Sequence, residues 1–382
     1  MPPASPRVPP SPETLLVHPH YDPLVDPLVD PTVDPARPRG SATAIERSST
    51  FTLDGAGGEA LARGEGLRHV DVYGRFGTGT VREVQTVLAR LEQGEAALVT
   101  ASGMAAIATV LTTLIPPGGC FACAEVVYGG TDSLIAHELA ARGVRTRRFD
   151  AREPAQLAAL LDPPAGEARP DLVWCESIAN PLMQVARVRE LAALCRAAGV
   201  PLGVDATFAG GVAQHPLALG AEVVVHSATK YLNGHSDVIA GLIVGSHGLI
   251  DRCFGTMART GCCPDPEAAW LLLRGVRTLP LRWARQCATA AVLAQRLREH
   301  PAVLAVHWPG FDPELLAVAP LRSAGAMLAF EVESGERAAA VLASLRLGTH
   351  AASLGGLETL LCSPARTSHA QLDGETRRRL GI

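Results

Sequence analysis

The pattern of polar and apolar positions divides the chain near its sixtieth residue. Before that point the sequence is polar and rich in proline, which recurs at every fourth position between Asp22 and Pro35. Proline lacks a backbone N–H and has a fixed φ angle, so such a repeat forms neither a helix nor a sheet ladder. Residues 1–60 are therefore predicted to form an extended or disordered N-terminal arm.

From about Val70 onward, short apolar runs alternate with amphipathic segments. The apolar runs predict buried strands at Ala96–Thr100, Asp171–Cys175, Pro201–Asp205 and Glu222–His226. The amphipathic segments, such as Arg187–Ala197, predict helices between these strands. Alternation of strands and helices predicts an α/β fold in which helices cover both faces of a mostly parallel sheet.

The same pattern predicts two domains. Residues 61–277 are expected to form the large, sheet-containing domain, and residues 278–382 a smaller α+β domain that contains a long helix at Leu281–His300. Parallel sheets bind ligands at the carboxyl ends of their strands. The polar motifs of the large domain each follow a predicted strand, so we expect them to meet at one edge of the sheet.

The amino-acid composition argues against several classes of function. The 382 residues carry a formal net charge of −4 without a cluster of basic residues, which argues against a nucleic-acid or acidic-membrane partner. No apolar run approaches the roughly 18 residues that span a bilayer, and Met1–Pro6 lacks the apolar centre of a signal peptide. A cytoplasmic location is therefore the default expectation.

Nine cysteines are scattered through predicted strands and helices. Cys120 and Cys123 form a CxxC pair, but no second CxxC or histidine pair is present to complete a zinc site. A disulfide framework is not expected in a chain of this size. The pair is therefore predicted to be buried, reduced thiols, and no metal is expected.

The strongest chemical signal is Lys230, which follows a predicted strand and stands beside Ser227 and Thr229. An amine that forms an imine needs a sheltered position, because desolvation lowers its pKa and frees the nucleophile. The two neighbouring hydroxyl groups are placed to donate hydrogen bonds to a phosphate. The alternative is an incidental lysine in a surface turn, although structural lysines prefer exposed helix faces.

Asp205 ends another predicted strand, in the sequence Val204–Phe208. A carboxylate at the end of a buried strand is unfavourable unless a positive group faces it. A protonated pyridine nitrogen is such a group, and the pair would make the ring a good acceptor of electrons. The alternative for Asp205 alone is an ordinary capping residue.

Two further motifs follow predicted strands. Ser102, Gly103 and Met104 begin a helix whose free N–H groups and dipole favour an anion. Tyr128 is placed to stack on a ring, the alternative being a core tyrosine with a satisfied hydroxyl.

These motifs resemble the Cys/Met-metabolism family of pyridoxal-5′-phosphate (PLP) enzymes, which includes cystathionine γ-synthase, cystathionine γ-lyase, methionine γ-lyase and O-acylhomoserine sulfhydrylases. The resemblance runs from about Thr14 to the last residue. It rests on the segments Ser102–Ala106, Tyr128–Thr131, Val204–Phe208, Ser227–Asp237, Ala269–Leu279 and Ser353–Leu360. It implies the aspartate-aminotransferase-like fold, known as fold type I, with PLP as cofactor.

The resemblance also implies a role for each matching residue. Lys230 would form the Schiff base with PLP, Asp205 would pair with the ring nitrogen, and Tyr128 would stack on the ring and move protons. The other implied cofactor contacts are Ser102, Gly103, Met104, Asn180, Thr207, Ser227 and Thr229. Tyr73 and Arg75 would reach the phosphate of a neighbouring subunit, which implies a homodimer or homotetramer with shared sites. Ser353 would contact the substrate carboxylate.

Three departures from the family pattern affect substrate binding. Thr78-Gly79-Thr80 stands where the family usually has Asn-Pro-Thr, so this loop is remodelled. Ala352 replaces the glutamate of cystathionine-handling members and cannot accept a hydrogen bond from a distal ammonium group. In the family, the arginine that binds the substrate carboxylate lies beyond the position equivalent to Ile382. Three explanations stay open: the sequence is truncated, another arginine substitutes, or the substrate is held differently.

The expected activity is γ-elimination or γ-replacement on a γ-substituted amino acid of sulfur or homoserine metabolism. Two alternatives stay open on sequence grounds. The first is β-elimination from cysteine or cystine, which differs by one carbon in the substrate. The second is a catalytically silent subunit that serves in binding or assembly.

Overall fold

The computed structural model describes residues 42–53, 55–367, 369–370 and 374–379. The proline repeat, and with it most of the predicted N-terminal arm, lies outside the described residues. From residue 42 onward the arm packs on the rest of the chain: the Trp270 indole N–H donates to the Thr43 carbonyl, 2.8 Å away. Arg47 forms an ion pair with Glu267, which lies on the same helix as Trp270.

Helices alternate with strands between residues 79 and 260, as predicted for an α/β fold. In chain order they are α1 (Gly55–Arg63), α2 (Gly79–Leu91), α3 (Gly103–Leu114), α4 (Gly129–Leu134), α5 (Pro154–Leu161), α6 (Val188–Ala198), α7 (His247–Thr260), α8 (Pro266–Val276), α9 (Leu279–Arg298), α10 (Pro313–Val318), α11 (Gly335–Ala343) and α12 (Gly374–Arg379).

The strands form one large sheet and three two-stranded ribbons. They are β1 (Ala96–Thr100), β2 (Cys120–Ala124), β3 (Arg145–Phe149), β4 (Leu172–Glu176), β5 (Ile178–Ala179), β6 (Gln184–Val185), β7 (Leu202–Asp205), β8 (Val223–Ser227), β9 (Gly241–Gly245), β10 (Ala305–His307), β11 (Ala329–Glu331), β12 (Thr349–His350) and β13 (Leu360–Leu361). The large sheet has the order β1-β9-β8-β7-β4-β2-β3.

The large sheet is parallel except for β9, which runs antiparallel to β1 and β8. The carboxyl ends of the other six strands therefore meet at one edge. The predicted strands are confirmed: β1 has the predicted bounds, β7 begins one residue later, and β4 and β8 are shifted by one residue at both ends. The strand predicted before Tyr128, without stated bounds, is β2, and the sequence pattern missed β3 and β9.

Side chains alternate along each strand, so neighbouring residues of a strand point to opposite faces of the sheet. Both faces carry apolar side chains, and helices cover both. One core cluster joins Val223 and Val225 of β8 to residues of α3, α6 and α7. The other joins Val224 of the same strand to residues of α2, α8 and α9. Both faces are thus buried, which explains why the strands read as continuous apolar runs.

Local sequence signals set the ends of several helices. The Ser102 hydroxyl caps α3 by accepting the Ala105 N–H, and Asp265 caps α8 before Pro266 at its first position. Gly199 and Gly261 end α6 and α7 in the left-handed conformation that glycine tolerates. Capping side chains and terminal glycines satisfy helix-end groups that have no partner within the helix.

Cys120 and Cys123 lie buried on β2 as free thiols, as predicted. Burial raises the pKa of the Cys123 thiol to about 12, so the thiolate form that binds metals is strongly disfavoured. Among the described residues no group of histidine, cysteine and acidic side chains is arranged to hold a metal ion. None of the helices in this part of the chain is long and apolar enough to cross a membrane.

Candidate active site

Three polar side chains lie at neighbouring strand ends on one edge of the large sheet. Glu176 of β4 pairs with Asp205 of β7 in the parallel ladder, and Asp205 pairs in turn with Val225 of β8. Ser227 is the last residue of β8. Because these strands run parallel, Glu176, Asp205 and Ser227 meet at the edge where such sheets bind ligands.

Asp205 is 8% exposed, and Thr207 donates to its Oδ1 from both the backbone N–H, at 2.9 Å, and the hydroxyl, at 2.5 Å. Burial raises the pKa of the Asp205 carboxyl, and the two hydrogen bonds from Thr207 act in the opposite direction. A carboxylate in this setting is stabilised further by a cation.

Thr207 also joins Asp205 to the neighbouring strand end. Its hydroxyl oxygen accepts the backbone N–H of Ser227 at 2.8 Å. One hydroxyl thus holds the last residues of β7 and β8 together. The sequence pattern did not foresee this bridging position for Thr207.

The start of α3 packs directly on Ser227. A Cβ atom at Gly103 would lie 2.8 Å from the Ser227 Cβ, so only glycine allows this approach. Ser102 uses its hydroxyl to cap the helix, and the backbone N–H groups of Gly103 and Met104 belong to the first turn. This helix start is a favourable position for an anion.

Lys230 lies in the loop after β8, half-buried, and its Nζ donates to the Ser353 Oγ at 2.9 Å. Burial lowers the pKa of the Lys230 amine. The Ser353 loop stays close because Gly355, at φ +78°, packs on the Lys230–Tyr231 backbone. A segment of the C-terminal region therefore completes the site at the sheet edge.

The Thr229 hydroxyl binds the main chain of Ala240, donating to its carbonyl at 3.2 Å and accepting its N–H at 3.0 Å. In this arrangement Thr229 fixes the loop that carries Lys230. Lys230 itself is the only lysine in the 382-residue sequence, in which the other basic positions are arginine or histidine. That the chain contains a single lysine is visible in the sequence and supports the assignment made from the motif.

Tyr128 follows β2 and is 44% exposed, despite its size. A Cβ atom at Gly130 would lie 2.5 Å from the Tyr128 Cε1 and 2.9 Å from the Met104 Sδ. The tyrosine ring therefore lies over Gly130 and close to the start of α3. A partly exposed aromatic ring beside an anion-binding helix start is suited to stacking on a flat ligand.

Asn180 follows the short strand β5, and its backbone N–H acts to lower the pKa of the Glu176 carboxyl. Glu176 was not among the predicted site residues. Its buried carboxyl also accepts the backbone N–H of Tyr128. Burial and the neighbouring charge of Asp205 raise the pKa of Glu176 well above its usual range.

A second buried acid was also missed. Glu92 is 0% exposed and its Oε1 lies 2.8 Å from the Nε2 of His226, the residue before Ser227. Burial alone would raise the pKa of Glu92, but His226 and His215 outweigh it and hold the pKa at about 2. This buried pair anchors the end of β8 to the end of α2.

Tyr73 and Arg75 make their contacts outside the strand-end cluster. The Arg75 guanidinium donates to the Ala258 carbonyl on α7, and its Cζ lies 4.8 Å from the ring centroid of Phe76. Within the described part of the chain, no hydrogen bond or ion pair joins Tyr73 or Arg75 to the strand-end residues. The Tyr73 ring is 44% exposed.

Comparison with known proteins agrees with this geometry. The profile of the family described as "Cys/Met metabolism PLP-dependent enzyme" matches residues 31–382. The L-methionine gamma-lyase of Pseudomonas putida is 38% identical over 345 residues, which cover 88% of this chain and 85% of that protein. The family match therefore includes both the sheet and the C-terminal region.

Solved structures of high similarity confirm the predicted fold class. Cystathionine gamma-lyase from Lactobacillus plantarum, complexed with L-serine, has a TM-score of 0.85 and 32% identity, over 97% of this chain and 92% of that chain. Cystathionine gamma synthase from Xanthomonas oryzae pv. oryzae, in complex with aminoacrylate and cysteine, has a TM-score of 0.86 and 32% identity, over 98% and 92%.

Replacement of Thr207 by valine tests the bridge between the two strand ends. Thr207→Val keeps the side-chain shape but removes the donor to Asp205 and the acceptor for the Ser227 N–H. We expect the free energy of unfolding, measured by urea denaturation, to fall by about 1–3 kcal/mol. Thr207→Ser keeps the hydroxyl and serves as the control. Equal loss in both variants would contradict the bridge.

Proposed function

This chain belongs to the Cys/Met metabolism PLP-dependent enzymes, and we propose that it catalyses γ-elimination or γ-replacement on an amino acid with a leaving group on its γ-carbon. The observation that carries the proposal is the position of Lys230. The only lysine of the chain lies half-buried at the ligand-binding edge of the sheet, where its amine has a lowered pKa. Arginine cannot replace it as a nucleophile, since a guanidinium stays protonated.

The residues around Lys230 fit PLP in both charge and shape. The start of α3, packed on Ser227 through Gly103, suits the phosphate. Asp205, buried and held by Thr207, suits the protonated ring nitrogen. The exposed face of Tyr128 suits the flat ring. We therefore assign these residues, with Met104 and Asn180, to the cofactor.

Bound PLP withdraws electrons from the α-carbon of an amino-acid substrate, which makes the proton on that carbon acidic. Lys230 removes this proton at its Nζ, because the lowered pKa leaves more of the amine unprotonated. Asp205 would hold positive charge at the ring nitrogen, and Thr207 keeps its carboxylate in place. The Tyr128 hydroxyl would give its proton to the γ-substituent as that group departs with the electrons of its bond to the γ-carbon.

Ser353 has two roles in this proposal. Its hydroxyl oxygen accepts a hydrogen bond from the Lys230 Nζ, which orients the amine towards the substrate. We also assign it to the substrate carboxylate, as the family resemblance implies. Fixing the carboxylate and the phosphate sets the Cα–H bond across the ring plane, and this alignment favours proton removal over other cleavages.

We further propose that the active sites are shared within a homodimer or homotetramer. Arg75 bonds to α7 and Tyr73 is partly exposed, and among the described residues neither has a hydrogen bond to the Lys230 loop of its own chain. This position leaves them free to reach the phosphate of a neighbouring subunit, as the resemblance implies. A cytoplasmic location stays a prediction of the sequence.

Labelling with borohydride tests the assignment of Lys230. Purified protein mixed with PLP should absorb in the visible range, and borohydride should remove this band and add one reduced PLP to the chain. Peptide mapping should place the adduct on Lys230, because no other side chain carries an amine. Lys230→Arg keeps the charge and should retain no PLP after reduction. A retained label in that variant would contradict the assignment.

Mixing two inactive variants tests the shared site. A hybrid of Lys230→Ala and Arg75→Ala subunits contains one site with both residues intact, so random exchange should restore about a quarter of wild-type activity. The control mixes Lys230→Ala with Asp205→Asn. Both of these residues belong to the same subunit's site, so no hybrid site is complete and activity should stay absent. Equal outcomes in the two mixtures would contradict shared sites.

The products of a substrate panel test the reaction class. We expect γ-substituted four-carbon amino acids, such as an O-acylhomoserine or a homocysteine-type thioether, to react faster than β-substituted three-carbon ones. One methylene discriminates by only about 1–3 kcal/mol, so the expected preference is roughly 10–200-fold. γ-Elimination releases 2-oxobutyrate and β-elimination releases pyruvate. An added thiol separates replacement from elimination. Pyruvate from cysteine or cystine as the main product would contradict the γ assignment.

A further inference from the structure

Glu176 lies at the end of β4, next to the pair of residues assigned to the cofactor ring. Its carboxyl is only 6% exposed, and its ladder partner on β7 is Asp205. Paired residues of neighbouring parallel strands point to the same face of the sheet. Two buried carboxyl groups therefore stand side by side.

This arrangement is unfavourable for the fold taken alone. Burial disfavours each charged carboxylate, and the neighbouring like charge adds to the effect. The raised pKa of Glu176 has these two causes, in that order. A buried acid that is kept beside another acid indicates that its hydrogen bonds serve the site.

The hydrogen bond of Glu176 reaches a loop of the site. Its Oε1 accepts the backbone N–H of Tyr128, 2.5 Å away, in the loop between β2 and α4. A carboxylate oxygen accepts a stronger hydrogen bond than the neutral amide oxygen of a glutamine side chain does.

We propose that Glu176 is a positioning residue, which holds the main chain of Tyr128 and thereby sets the Tyr128 ring relative to Asp205. The inference rests on the proposed function, because it concerns the same cofactor site. Glu176 acts through the Tyr128 loop and does not itself contact the substrate. Its effect is therefore expected in cofactor binding and in the environment of the bound ring.

Glu176→Gln is the variant that tests this role. The glutamine offers the Tyr128 N–H only a neutral amide oxygen, which accepts a weaker hydrogen bond than a carboxylate oxygen does. We expect the dissociation constant for PLP to rise roughly tenfold, the typical effect of one buried hydrogen bond. At saturating PLP, the circular dichroism of the bound ring should fall in amplitude, because the ring contact from Tyr128 is displaced.

Asp171→Asn is the matched control. Asp171 precedes β4 at the opposite edge of the sheet, and its carboxylate likewise accepts a backbone N–H, that of Cys120 of β2, at 2.8 Å. The substitution makes the same change from carboxylate to amide at the far end of the same two strands. Its PLP affinity and ring dichroism should equal those of the wild type.

The same substitution made in a Tyr128→Ala variant separates a positioning role of Glu176 from an effect of its charge. If Glu176 acts through the Tyr128 ring, Glu176→Gln should weaken PLP binding much less, by under about threefold, when Tyr128 is already alanine. A purely electrostatic effect on Asp205 would persist unchanged in that background and would overturn the proposal. Agreement of Glu176→Gln with Asp171→Asn in both measurements would also overturn it.

The design keeps this inference apart from the proposed function. Failure of the wild type to bind PLP would refute the proposed function, whereas wild-type binding with an unaffected Glu176→Gln variant would refute only the positioning role. If Glu176→Gln does not fold, Glu176→Asp replaces it. The aspartate keeps both acceptors on a shorter stem, so weaker PLP binding with lower dichroism supports the role, and unchanged values overturn it.

Discussion

The cost of burying a carboxylate at the end of a strand governs the architecture of this site. Asp205 is nearly inaccessible at the end of β7, and its charge is stabilised by two hydrogen bonds from Thr207. These bonds also tie β7 to the end of β8 through the Ser227 N–H. The same groups that make the carboxylate tolerable therefore fix the distance between the ring-nitrogen partner and the Lys230 loop. A cation that faces Asp205 offsets the remaining free-energy cost of burying its charge.

The sequence predicted the parts of the site that follow directly from the order of the strands. Ser102, Asp205 and Lys230 each come just after an apolar run, and parallel strands bring such positions to one edge without further information. The pattern did not predict that β9 runs against its neighbours. Gly241–Gly245 is an apolar run like the others, and an apolar run carries no information about its direction in the sheet.

The residues that the sequence missed act through tertiary contacts. Glu92 and Glu176 resemble ordinary charged positions in the sequence, yet one is paired with His226 and the other accepts the backbone N–H of Tyr128. Their partners lie 134 and 48 residues away along the chain. No local period or motif indicates such a pairing. Thr207 was identified by its motif, but its bridge to Ser227 depends on how two strands align.

Two features of the Lys230–Ser353 contact are not explained by structural roles alone: the rarity of lysine in this chain and the backbone conformation of Ser353. Arginine stands at 33 positions of this chain and lysine at one, so the basic positions elsewhere are served by a cation that cannot lose its proton. Ser353, the acceptor of the Lys230 amine, has a φ of +142°, a backbone conformation that costs a residue with a side chain roughly 1–3 kcal/mol. A chain that keeps one amine, and holds a strained serine against it, is organised around the reactivity of that amine.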